Sequence, residues 1–172
     1  GIEAAPDYPP LYQTLIALQS GNGQYAQALQ VAKQWQGRDK NGSLGYQLEG
    51  DVYLRQERYE AAAEAYRAGA AKNPASVLAI RAHQSLKLAG KKDAAVAYEA
   101  KRLAELPKDL SFINYLGESA MRDGQYPAAE VRFRRGLELE ANNPAILNNL
   151  AWVLGKQGKD AAALEFSNKA VE

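Results

Sequence analysis

Gly124-Gln125-Tyr126-Pro127-Ala128-Ala129, followed by Phe133 and Gly136, is one copy of a pattern that runs the length of the chain. A second copy reads Glu57-Arg58-Tyr59-Glu60-Ala61-Ala62, then Tyr66 and Gly69. The small residue of the pattern falls at Ala28, Ala62, Ala95, Ala129 and Ala163, at gaps of 34, 33, 34 and 34 residues. A fixed period of this length marks a solenoid of helix pairs, each pair burying its apolar side against its neighbours. Arrays of this kind present surfaces and seldom assemble catalytic pockets, so the period argues against an enzyme.

Inside one period, Ile113, Leu116, Gly117 and Ala120 recur at helical spacing and mark a first helix. Gly23, Gly90, Gly124 and Gly158 stand where that helix ends, and glycine takes the left-handed turn there without a Cβ penalty. Glu57 holds the same place in the second copy, which implies strain on the order of 1 kcal/mol if it is left-handed. A second helix is predicted to begin at Tyr25, Tyr59, Lys92, Tyr126 and Asp160. On it, Ala62, Tyr66 and Gly69, or Ala129, Phe133 and Gly136, share one face, the ring filling space and the small residues admitting a close neighbour.

Asn73-Pro74, Pro107 and Asn142-Asn143-Pro144 separate successive units. The units are 8–41, 42–74, 75–108, 109–142 and 143–172. Helices of about 13 residues are marginal alone, so stacking must supply their stability. Residues 36–45, with Gly37, Gly42 and Gly45, form the loosest-looking connection, one expected to free the first unit from the rest. That unit is also the least regular. Ile16 replaces Gly50 and Gly117, and Trp35 replaces Gly69 and Gly136, as in an atypical end repeat or at an altered interhelix angle.

The 172 residues carry 21 Lys plus Arg against 20 Asp plus Glu, so no global field draws nucleic acid or an anionic membrane. Cysteine is absent, which excludes disulfides, thiolate catalysis and Cys-ligated zinc. No apolar run reaches the roughly 20 residues that span a bilayer. The opening Gly1-Ile2-Glu3 lacks Met and the chain stops inside a helical pattern at Glu172, so an excised piece of a longer array is expected.

No residue set supports a reaction. His83 is the only histidine and is expected to pack inside a helix pair; no metal or cofactor is expected. Gly155-Lys156-Gln157-Gly158-Lys159 lacks phosphate-loop spacing and is a helix end. Glu138 with Glu140, and Arg132, Arg134 and Arg135, fit solvated helix faces.

The second copy, with Gly50, Tyr53, Tyr59, Ala62, Tyr66 and Pro74, resembles the tetratricopeptide repeat, as does the fourth, with Leu116, Gly117, Gly124, Tyr126, Ala129 and Phe133. The third and fifth depart from it, with His83 or Ala151 for the first Gly and Glu99 or Ser167 for the aromatic; Tyr98 and Phe166 supply a ring one position earlier. The resemblance implies an all-α, right-handed superhelix of about five helix-turn-helix units whose first helices line a concave groove. Carried over, the groove positions are Gln13, Gln47, Ile80, Asn114 and Asn148 in one row. Ala17, Asp51, Gln84, Glu118 and Trp152 form the next, and Ser20, Arg55, Lys87, Arg122 and Lys156 the third. Amides suit the main chain of an extended peptide, and the basic third row suits a carboxylate, although cations near helix C-termini are favoured by the dipole anyway. Trp152 would anchor a partner side chain, stack on a sugar, or be covered by a further repeat.

Residues 80–91 and 144–154 are similar to stretches of large bacterial tetratricopeptide lipoproteins that accompany the PEP-CTERM/exosortase sorting system and its exopolysaccharide genes. That likeness implies an exported protein on the periplasmic side of the envelope, anchored outside this sequence. The expected function is a non-enzymatic scaffold that binds a peptide or partner protein in the groove. A polysaccharide-binding module and a structural spacer are the alternatives. Leu164, Val171 and Phe166 on the last helix are expected to stay partly open and to support a homodimer.

Overall fold

The computed structural model describes residues 8–171, so Gly1-Ile2-Glu3 and Glu172 lie outside the described residues. Among these there are ten α-helices and no strand. They are α1 (Pro9–Gly21), α2 (Tyr25–Arg38), α3 (Leu44–Arg55), α4 (Tyr59–Lys72), α5 (Ser76–Leu88), α6 (Lys92–Glu105), α7 (Leu110–Arg122), α8 (Tyr126–Leu139), α9 (Pro144–Lys156) and α10 (Asp160–Lys169). The second helix of each pair starts where the pattern predicts. The chain divides into two compact units, Gly1–Glu105 and Leu106–Glu172. The first holds α1–α2, α3–α4 and α5–α6; the second holds α7–α8 and α9–α10.

Each pair closes on the same turn. In α7–α8, Gly124 has φ +73° and donates its N–H to the Met121 carbonyl, while the Gln125 N–H reaches the Ala120 carbonyl at 2.9 Å. The same two bonds recur around Gly23, Glu57, Gly90 and Gly158. They satisfy carbonyls that a helix end leaves open. Glu57, at φ +58°, is the only non-glycine with positive φ among the described residues, so the strain expected from sequence is present. Glu57→Gly should raise stability by about 0.5–1 kcal/mol, because relief of the Cβ clash exceeds the extra freedom given to the unfolded chain. A thermal melt should then shift upward by about 2–3 °C, and a downward shift would contradict the strain.

In the first unit, Tyr12, Ile16, Ala28, Ala32, Trp35, Leu48 and Val52 form one core across α1, α2 and α3. The 36–45 connection is therefore not where the chain loosens. Gly45 marks close approach: a Cβ there would lie 2.6 Å from Gln36 Cγ and 2.9 Å from its backbone N. The boundary between compact units falls after Glu105 instead.

Ring and glycine are matched across each regular pair. A Cβ on Gly50 would stand 2.5 Å from the buried Tyr66 ring, and one on Gly117 2.6 Å from the Phe133 ring. The first pair exchanges the sizes. Ile16 takes the glycine place and Ala32 the ring place, both buried, which conserves volume. Gly69 and Gly136 admit the following first helix, where a Cβ would meet Leu78 Cδ1 or Ile146 Cδ1 at 2.9 Å. In α2 that place holds Trp35, packed on Tyr12 with centroids 4.6 Å apart. In α6 it holds Arg102, buried, whose Nη2 donates to the Pro74 carbonyl at 2.6 Å.

The second unit centres on Ala129, Phe133, Ile146, Leu150, Val153 and Leu154. Asp109 and Asn143 cap α7 and α9, accepting from the Phe112 and Ile146 N–H groups. No residue of α10 is fully buried. Leu164 and Val171 are exposed, and Phe166 is half-buried beneath the Arg134 and Lys169 cations.

Candidate functional site

A cleft of about 250 Å³ lies between α1 and α3 in the first unit. Gln13, Ala17 and Ser20 line it from α1, and Gln47, Asp51 and Arg55 from α3. Ile16, Leu48 and Val52, buried in the core, form its floor. The first helices thus bring together six side chains assigned to the groove. On α5, Ile80 and Lys87 are half-buried and Gln84 is exposed.

The third row needs a correction of register. Arg55, Arg122 and Lys156 stand two residues before their left-handed turn residue, whereas Ser20 and Lys87 stand three before. Gly21 and the exposed Leu88 hold the in-register places, so the basic row is not continuous through α1 and α5.

The groove carboxylates are already engaged. Asp51 Oδ1 accepts from the Tyr66 hydroxyl at 2.6 Å and from Arg81 Nη1. Arg81 also lies over the Tyr66 ring, 5.7 Å from its centroid. Burial, reinforced by Asp51, pushes the Tyr66 pKa above the ordinary tyrosine range, so its hydroxyl remains a donor. Burial works against the Arg81 charge, but Asp51 and Tyr66 outweigh it and raise its pKa. In the second unit, Asn114 Nδ2 donates to Glu118 Oε1 at 2.8 Å, and Arg122 Nη1 stands 3.9 Å from Glu118 Oε2. Asn114 Oδ1 is buried without a hydrogen-bond partner among the described residues.

Two groups in the first-unit cleft differ from these. Ser20 is 4% exposed and its Oγ has no hydrogen-bond partner among the described residues. Arg55 is exposed and pairs with no acceptor or carboxylate among the described residues.

On α9, Asn148 is exposed and Trp152 is 47% exposed. The Trp152 ring meets Tyr126 edge-on at 5.7 Å, and Lys156 Nζ sits 5.0 Å from its centroid. A sugar stacking on that face must displace Lys156. His83, in α5, is buried.

Sequence reasoning missed Arg81 as the partner of Asp51. Its signal was a cation in the position that Leu48, Tyr115 and Asn149 hold in other pairs. It also missed a cleft of about 310 Å³ between α4 and α6, lined by Arg67, Ala68, Ala71, Tyr98, Lys101 and Arg102 among others. Arg102 at a small-residue position was the available sign.

Away from these clefts, Glu130 ties α8 to the α9–α10 turn. It accepts from Lys159 Nζ at 2.6 Å, Gln157 Nε2 at 2.9 Å and Arg134 Nε at 2.9 Å. Lys159 is the main cause that lowers its pKa to about 2; Arg134 and Gln157 add to this, and burial opposes it. A carboxylate with a depressed folded pKa stabilises above its unfolded value, and the contribution is lost as pH falls through the folded one. Glu130→Gln should cost about 1–2 kcal/mol at pH 7 after allowance for solvent screening, with the difference shrinking between about pH 4.5 and pH 2. Urea unfolding at several pH values checks this; a difference independent of pH would contradict it.

No group of three or more His, Cys, Asp or Glu side chains placed to hold a metal ion occurs among the described residues. None of the described helices is long and apolar enough to cross a membrane.

Helix pairs at this period, closed by left-handed turns and packed ring against glycine, define a tetratricopeptide-type solenoid. Solved structures share that fold. YrrB, described as a TPR protein with an unusual peptide-binding site, is similar at TM-score 0.57 and 18% identity over 99% of this chain and 88% of its own. MamA from Desulfovibrio magneticus RS-1 is similar at TM-score 0.60 and 17% identity, over 96% and 94%. MamA AMB-1 gives 0.58 and 22%, over 94% and 96%. No family model matches the chain, and no curated protein matches it.

Proposed function

We propose that this protein is a non-enzymatic interaction scaffold that holds an extended peptide segment of a partner protein against its first helices. The observation that carries the reading is the α1–α3 cleft. Gln13 and Gln47 line it together with a nearly closed apolar floor, an arrangement suited to a peptide main chain with a side chain inserted. The peptide-binding site named for YrrB adds support by analogy of fold. Display selection of capped random peptides against the chain tests it. Selected peptides should bind at least ten-fold more weakly to the folded Gln13→Ala/Gln47→Ala variant. Failure to select any peptide, or equal binding by the variant, would leave a structural spacer as the better account.

The similarity of residues 80–91 and 144–154 to the envelope lipoproteins supports a place in a bacterial exopolysaccharide and protein-sorting system, on the periplasmic side. Fractionation of source cells with an antibody to this chain tests the location; recovery in the cytoplasm would overturn it. The exposed Leu164 of α10 and Val171 just beyond it support self-association through that end. Light scattering should show a dimer that Leu164→Glu abolishes, whereas a monomer at high concentration would refute it.

A further inference from the structure

We infer that the α1–α3 cleft is specific for an acidic side chain carried beside an aliphatic one in a segment that passes through it; this rests on the peptide-binding reading above. Three independent features of the cleft lead there.

The first is charge. Asp51 lines the cleft, but its Oδ1 is occupied by Tyr66 and Arg81. Arg55, at the other end of the α3 segment, is the cation without such an engagement. A carboxylate placed on its guanidinium gains a charge-assisted contact that no described residue already makes. The second is the Ser20 hydroxyl. A buried hydroxyl that pairs with nothing is costly, and the cost is removed when an occupant brings a donor or acceptor to it. A peptide main chain carries both. The third is the floor. Ile16, Leu48 and Val52, almost wholly buried in the core, close the bottom of the same 250 Å³ space, which has the size for one aliphatic side chain rather than for a folded partner.

The carboxylate belongs to a side chain and not to a chain end. Groove positions do not stop at the cleft, because the exposed Gln84, in the same row as Asp51, continues them on α5 within the same unit. A segment held by Gln13 and Gln47 and reaching Gln84 runs onward past α3.

The test uses the full chain and fluorescein-labelled peptides taken from the capped display selection, with acetylated and amidated ends. Asp or Glu next to Val, Leu or Ile should be enriched. Changing that acid to its amide, or Arg55→Gln in the protein, should each weaken binding about ten-fold by fluorescence anisotropy. The two changes together should cost little more than either alone, because both remove one contact. Ser20→Ala should weaken binding about three-fold or more, with the melting temperature unchanged or raised. Freeing the peptide C-terminus should change nothing. If peptides are selected and depend on Gln47 but not on Arg55, or if affinity follows a free chain terminus, this inference falls and the peptide-binding reading survives. If no peptide is selected, both fall together.

Discussion

Phe133→Ala is expected to destabilise the second unit by about 3–5 kcal/mol. The ring is completely buried against Gly117 on α7 and shares its core with Ile146, Leu150, Val153 and Leu154. The cavity left by its removal cannot collapse easily, because the glycine opposite offers no side chain to move into it. A unit of only two helix pairs has little reserve, so α7–α10 should lose amide-exchange protection while α1–α4 keep theirs. Loss spread evenly through both units would contradict this. The first pair supplies the repair. Ile16 and Ala32 already pack with the sizes reversed. Gly117→Ile combined with Phe133→Ala should therefore recover at least half of the lost stability, although Gly117→Ile alone should be as damaging as the ring deletion. A double variant no better than the singles would show that α7–α8 cannot adopt the α1–α2 packing.

Gly50→Ala is expected to cost about 2–3 kcal/mol, a large penalty for one methyl group. The new carbon would stand 2.5–2.8 Å from three atoms of the Tyr66 ring, so ring or helix must move. Movement of the ring also draws its hydroxyl away from Asp51 and disturbs the contact with Arg81. The cost should thus fall when Tyr66 is shortened: in a Tyr66→Leu background, Gly50→Ala should be nearly neutral. Urea unfolding of the four proteins measures the coupling. Additive losses would show that the ring is not what the methyl group meets.

The repeat made most of the fold legible before any coordinate was known. Helix starts at Tyr25, Tyr59, Lys92, Tyr126 and Asp160 follow from the period, and the left-handed turn at Glu57 follows from its alignment with four glycines. Sequence was misleading where one residue type serves two purposes. Gly42 and Gly45 suggested a loose connection, yet Gly45 is a point of close approach to Gln36. Ile16 suggested a misfit, because a size at one position has meaning only with the size opposite. The groove positions on α1 and α3 came from the tetratricopeptide resemblance, carried over unit by unit. What each side chain does there was not legible. Whether Asp51 is free depends on Tyr66 and Arg81, which approach it from two other helices. Likewise, the exposed Trp152 is already met by Tyr126 and Lys156.

The central claim is that the first helices, and not the second, receive the partner. Backbone amide chemical shifts, followed by NMR as a selected peptide is added, test it most directly. The account predicts shifts concentrated on residues 13–20 of α1 and 47–55 of α3, with α2 and the outer side of α4 little changed. Shifts centred on α4 and α6, around Arg67, Tyr98 and Arg102, would contradict it and move the binding site to the other cleft of the first unit.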